Sequence, residues 1–164
     1  MRKILFRGKR IDNGEWVYGS YCYAEALDKS GYEHLIIEAS ADGRSYSVIP
    51  ETVGQYTGLT DKNGRQIFEG DIVITQSFSD KPFSRNAKYK QHIGVVEYHV
   101  SHFKNDCYEQ DYEGKWTVNI TDYGKYDCYN WSEFYRCEVV GNVYDNSTLL
   151  SEERVQTNEN NKNV

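Results

Sequence analysis

The sequence predicts an all-β fold with little helix. Turn signals recur at short intervals, as at Asn13-Gly14, Asp42-Gly43 and Asn63-Gly64, where residues of this kind accept positive φ at low cost. The segments between them alternate apolar and polar residues, the period of a half-buried strand. No stretch of about a dozen residues carries the 3.6-residue period of an amphipathic helix. Strand residues should therefore outnumber helical ones by at least about two to one, although globular proteins average roughly a third helix.

Ile4-Leu5-Phe6 forms a first short strand, and Asp12-Asn13-Gly14 turns it into a second, Glu15 to Tyr23. In that second strand Trp16, Tyr18, Ser20 and Cys22 share one face, and Val17, Gly19, Tyr21 and Tyr23 the other. Both faces are partly apolar, so both want cover. Leu35 to Glu38 and Tyr46 to Ile49 flank Asp42-Gly43 as a hairpin. Asp61-Lys62-Asn63-Gly64 turns the chain into Gln66-Ile67-Phe68, and Glu69-Gly70-Asp71 turns it into Ile72 to Thr75. Gln76 to His92 is polar and basic and reads as a long loop. Gly94 to Val100 returns to strand, and residues 101–114, polar and acidic, read as another loop. Trp116, Val118 and Ile120 alternate with Thr117, Asn119 and Thr121, which places the first three inward and Thr117 and Asn119 toward water. Tyr123 to Tyr135 is rich in Tyr and leaves room for one helical turn at Ser132 to Tyr135. Glu138 to Tyr144 is the last strand, and Asn146 is placed to cap a short turn through Leu149-Leu150. Residues 151–164 offer little that can be buried and read as a disordered tail.

Composition narrows the class. The chain has 164 residues, 15 of them Tyr, so its core should be shallow, with phenol rings lying across the edges. No window of about 18 apolar residues can span a bilayer as a helix. The basic start, Met1-Arg2-Lys3-Ile4-Leu5-Phe6-Arg7, lacks the apolar run of a signal peptide. These features point to a reducing, cytoplasmic compartment, with no membrane partner. Cys22, Cys107, Cys128 and Cys137 match no disulfide framework or zinc ribbon. A net charge of -6 counts against a dedicated nucleic-acid binder. The charge is uneven, however, with Arg2, Lys3, Arg7, Lys9 and Arg10 near the start and Asp106, Glu109, Asp111 and Glu113 in an acidic block.

Three runs carry a resemblance. The first is Phe6-Arg7-Gly8-Lys9 with Gly14-Glu15-Trp16-Val17-Tyr18-Gly19. The second runs from Val53 through Gly58, Asp61 and Gly64 to Ile67-Phe68-Glu69-Gly70-Asp71-Ile72-Val73. The third is Val139 to Asn146 with Leu149-Leu150. Their order, with Gly94-Val95-Val96-Glu97-Tyr98 between the second and third, resembles the YopX family of bacteriophages and prophages from about residue 2 to residue 150. The resemblance implies a β-rich fold whose C-terminal part is similar to a small SH3-like barrel. The expected organisation is an N-terminal region of short β hairpins over residues 1–52, packed on a barrel part over residues 53–150. The resemblance implies no particular chemistry. Gly14, Gly58, Gly64 and Gly70 read as structural turn glycines, because no phosphate-binding motif or following helix accompanies them.

Candidate sites are few. His99, His102, Cys107 and Cys128 are of types that suit zinc, but residues three apart on a strand point to opposite faces, so neither metal nor cofactor is expected. No nucleophile motif selects a catalytic residue, and the chain is expected not to be an enzyme. Lys81, Arg85, Lys88 and Lys90, interleaved with Phe83 and Tyr89, could meet phosphates and stack bases. Tyr108, Tyr112, Tyr123, Tyr126, Tyr129 and Tyr135 lie among carboxylates and suit protein recognition. A protein partner, or a second copy of the chain, is therefore the expected ligand class, with nucleic acid on the basic stretch as the alternative.

Overall fold

The computed structural model describes residues 3–25, 32–40, 42–78, 89–105, 108–120, 128–129 and 136–150. The strands are β1 (Phe6–Lys9), β2 (Trp16–Glu25), β3 (Tyr32–Ile37), β4 (Ser45–Ser47), β5 (Gly54–Thr60), β6 (Gln66–Phe68), β7 (Asp71–Phe78), β8 (Tyr89–Asn105), β9 (Tyr108–Ile120), β10 (Cys128–Tyr129) and β11 (Glu138–Asn142). The all-β class follows as the alternation predicts; helical residues among the described ones are few, a 3-10 turn at Pro50–Thr52, Arg136, and Leu149-Leu150 after the last strand. The chain divides into two compact units, Met1–Gly58 and Leu59–Val164. The first sheet has the order β4-β3-β2-β1-β5-β6 and the second the order β10-β9-β8-β7-β11. β5 spans the division, and its last residues belong with β6 to the second unit.

In the first unit, Gly14 at φ 73° closes the β1–β2 hairpin, with Gly14 N–H donating to Arg10 O at 3.0 Å and Arg10 N–H to Glu15 O at 2.9 Å. One face of β1–β2 buries Val17 with Ile36 and Val48, and Phe6, Tyr21, Tyr46 and Val53 pack around them. The other face carries Trp16, with the Arg7 guanidinium 4.8 Å and the Lys9 ammonium 5.5 Å from its ring. Both faces of β2 are thus engaged, and part of the basic cluster near the start of the chain is set on an aromatic ring.

The second unit buries Ile67, Val73, Val96, Trp116, Val118, Ile120, Cys137 and Val139 in one cluster. Trp116, Val118 and Ile120 face inward as expected. Thr117 does not face water: it is buried, and its hydroxyl donates to Glu97 O at 3.4 Å. A threonine can be buried there because a main-chain carbonyl satisfies its hydroxyl. Asn119 is exposed.

Strand extends into both expected loops. β7 runs on to Phe78 and β8 starts at Tyr89, with Phe78 opposite Tyr89, Ser77 opposite Lys90 and Thr75 opposite His92. β8 and β9 likewise continue through most of residues 101–114, with Ser101 opposite Glu113 and His102 opposite Tyr112. The ladder is made by main-chain groups, so polar side chains do not prevent it. Residues 79–88, the possible turn at Ser132–Tyr135 and the tail at 151–164 lie outside the described residues.

The second and third of the runs that carry the resemblance meet in the second unit. Asp61 is buried. Its Oδ1 accepts from Asn63 N–H at 2.8 Å and Arg65 N–H at 2.9 Å, and its Oδ2 from Val139 N–H at 3.0 Å. Lys62 N–H donates to Cys137 O at 3.0 Å, and Arg65 Nη1 to Val139 O at 3.3 Å. Lys62 Nζ and Glu138 form an ion pair across the same join. These contacts occupy the outer edge of β11, where a closed barrel would need another strand. Among the described residues neither sheet closes into the SH3-like barrel that the resemblance implies.

Gly70, at φ 79°, sits in the turn that Asp71 closes by accepting Phe68 N–H at 2.8 Å. Gly70 N–H then donates to Val96 O, and Gly70 O accepts from Val143 N–H. Gly58 and Gly64 also have positive φ, at 90° and 81°, but Gly58 lies inside β5 rather than at a reversal. β11 stops at Asn142, earlier than Tyr144, because Asn142 Oδ1 accepts from Tyr144 N–H and Asp145 N–H, both at 3.0 Å, and bends the chain as an Asx turn does. Asn146 does not cap forward. Its Oδ1 accepts from Asn142 N–H at 3.2 Å, while its main-chain carbonyl accepts from Leu149 N–H.

That backward bond depends on Gly141. A Cβ there would lie 2.5 Å from Asn146 Oδ1, beside a register shift in the β11–β7 ladder. Gly141→Ala is expected to cost about 1–3 kcal/mol in urea unfolding. Combined with Asn146→Ala it should cost less than the sum of the two changes. Strict additivity would show that the clash is not what Gly141 avoids.

Candidate functional site

The first unit holds a cleft of about 710 Å³ lined by Arg10, Asp12, Glu33, His34 and Tyr46, with Ile11, Ser45, Ser47, Val48 and Pro50 completing its walls. β3 and β4 supply one side, and the chain leaving β1 supplies the other. The Arg10 guanidinium lies 4.5 Å from the Tyr46 ring centre. It also grips Asp12, Nε donating to Oδ1 at 2.9 Å and Nη2 to Oδ2. That hydrogen-bonded pairing holds the Asp12 carboxyl below its ordinary value and raises Arg10. Ser47 Oγ donates to Glu33 Oε2 at 3.1 Å. His34 Nδ1 is 2.7 Å from the Tyr21 hydroxyl, and the His34 ring packs 4.8 Å from Tyr23. The volume suits a small ligand or a short peptide segment. The lining contains no cysteine, and neither Ser45 nor Ser47 is hydrogen-bonded to His34, so no nucleophile–base pair is assembled there.

A second feature lies on β8. Tyr98 and Val100 share the face of buried Val96, yet are 52% and 45% exposed. Tyr98 packs edge-on against Trp116 at 5.0 Å, and its hydroxyl lies over Gly114, in the space a Cβ there would take. An apolar strip therefore runs from the core out to the surface along one strand face.

The sequence-derived candidates distribute as follows. Tyr89 and Lys90 lie on β8, paired with Phe78 and Ser77. Lys81, Phe83, Arg85 and Lys88 lie outside the described residues. His99 is exposed on β8, His102 follows on the same strand, and Cys128 is on β10; Cys107 is outside the described residues. No group of three or more His, Cys, Asp or Glu among the described residues could hold a metal ion. Burial, with the Asp61 carboxylate next in importance, pushes the Cys137 thiol up to about 12, which keeps it from acting as a thiolate. Of the Tyr-rich set, Tyr108 and Tyr112 are on β9 and Tyr129 on β10, while Tyr123, Tyr126 and Tyr135 fall outside the description. The cleft itself was not legible as a site. Arg10, Glu33 and Tyr46 are far apart in sequence, and only the pairing of β3 with β4 and of Arg10 with Val48 brings them together.

The runs that join Asp61 to Val139, and Gly70 to Val143, fall within a stretch matched by a family model described as YopX protein, over residues 5–151. The chain belongs to the YopX family. Among solved structures, this YopX-family chain is similar to one described as the crystal structure of protein EF1440 from Enterococcus faecalis, at 20% identity and a TM-score of 0.45, over 92% of this chain and 99% of that one. Comparison with curated proteins finds no match. No helix among the described residues is long and apolar enough to cross a membrane. In this YopX chain the most family-specific residues are engaged in turns and in the β11 join, and none of them lines the cleft.

Proposed function

We propose that this YopX protein is a non-enzymatic phage or prophage accessory protein that works through protein contacts in the cytoplasm of a bacterial host. The observation that supports this reading is the Tyr98–Val100 strip. An exposed tyrosine ring with an apolar neighbour offers contact area to a protein at low entropic cost, and both residues lie outside the basic stretch Lys81 to Lys90 in the sequence.

The test is affinity capture from nuclease-treated lysates of infected or lysogenic cells. The wild-type chain and a Tyr98→Ser/Val100→Ser variant are used side by side. A protein retained by the wild type after nuclease treatment and lost from the variant is the expected result. Release of everything captured on nuclease treatment would contradict it, and would favour nucleic acid bound by the stretch from Lys81 to Lys90.

A further inference from the structure

We propose that the cleft beside β4 receives an extended segment of a partner protein, with alternating basic and apolar side chains, that adds a strand to this sheet edge. The inference rests on the protein-contact reading above and gives it a second, independent place. β4 is the outermost strand of its sheet. Val48 N–H donates to His34 O and Glu38 N–H to Arg44 O, both at 2.9 Å, with Tyr46 opposite Ile36 between them. In an antiparallel ladder these alternate residues bond inward, so the main-chain groups of Ser45 and Ser47 point outward. Ser47 O is taken, accepting from Ile11 N–H at 3.0 Å. Among the described residues, Ser45 N–H, Ser45 O and Ser47 N–H meet no main-chain partner.

The fold already uses this edge once. Lys9 to Ile11 runs antiparallel beside Ser47 to Ile49, with Ile49 N–H donating to Lys9 O at 2.8 Å and Arg10 bridging Val48. That pairing stops where Asp12 and Asn13 turn the chain back toward β2, and the open groups of Ser45 and Ser47 lie in the cleft wall beyond it. Strand addition draws affinity from such main-chain groups and specificity from alternate side chains. The cleft offers both kinds of contact. Ile11 is 64% exposed at its rim, with Val48 and Pro50 beside it. Its charged lining residues are Arg10, Asp12 and Glu33. Arg10 and Asp12 neutralise each other, which leaves the Glu33 carboxylate to set the sign and to favour a cation.

The probe is acetylated and amidated Lys-Val-Lys-Val-Lys, titrated into the full chain labelled with nitrogen-15. The Ser45 and Ser47 amides should shift and exchange more slowly with solvent, while the Tyr46 amide is protected throughout. Glu33→Gln should weaken binding about two- to fivefold, the range of an exposed ion pair. Alternate N-methylation of the peptide should abolish binding. So should Ser45→Pro, which an outward-facing edge position tolerates and whose melting temperature serves as the folding control. Absence of shifts at Ser45 and Ser47, or equal binding of the N-methylated peptide, overturns the proposal. If Ser45→Pro binds the peptide no less well than Ser45→Ala, it is overturned as well. That failure leaves the protein-contact reading standing, because the Tyr98–Val100 capture is read separately and fails only when nuclease releases what is bound.

Discussion

Val118→Asp should abolish cooperative folding of the second unit. Val118 is 3% exposed and packs in the cluster of Ile67, Val73, Val96, Trp116, Ile120, Cys137 and Val139. No cationic side chain belongs to that cluster, so the charge is either buried without a counter-charge or the strand leaves the core. The expected cost exceeds about 4 kcal/mol, in the extreme tail for single substitutions. Urea unfolding followed by tryptophan fluorescence reads it, and an unchanged midpoint would show that β9 packs on its other face.

Asp61→Ala should be nearly as damaging, although it removes no apolar surface. Three main-chain N–H groups, of Asn63, Arg65 and Val139, converge on this carboxylate. Without it the Val139 N–H is left buried with no acceptor, and each such orphan costs about 1–3 kcal/mol. A loss on the order of 3 kcal/mol or more is expected, and Asp61→Asn, which keeps one acceptor, should fall between. Burial opposes ionisation of Asp61, but the three donors outweigh it and hold the carboxyl below its usual value. The sign follows from linkage: a folded-state pKa below the unfolded one adds stability that is present above the unfolded value, near 4, and lost as pH falls through the folded value. The wild type should therefore lose more stability than Asp61→Asn between about pH 5 and pH 2.

The fold class was legible because its signals are local. Asn13-Gly14 and Asn63-Gly64 occur where the chain reverses, and Trp116, Val118 and Ile120 alternate at the strand period and are buried. The errors share one cause. Residues 76–78, 89–92 and 101–105 read as loop because their side chains are polar, yet their main chains pair in β7, β8 and β9. Side-chain polarity reports which surface a strand shows to water and says little about its ladder. Thr117 erred the other way, since alternation cannot reveal which residue on a strand's polar face is itself buried.

The β11 join was hidden for a different reason. Asp61 and Val139 are 78 positions apart, and an Asp in an Asp-Lys-Asn-Gly turn has the composition of any exposed loop. Only the pairing of β11 with β7 brings the Val139 N–H to it. The cleft was equally hidden. Its residues come from the start of the chain, β3 and β4, and none belongs to a motif with a chemical signature.

Asp61 and its neighbours close the outer edge of β11 rather than build a binding site. Native-state hydrogen exchange at the Val139 amide tests it most directly. The account predicts that this amide exchanges among the slowest in the second unit, and that Asp61→Asn speeds it more than it speeds the Val73 amide in the same sheet. Exchange of the wild-type Val139 amide at the rate of an exposed turn would contradict the claim.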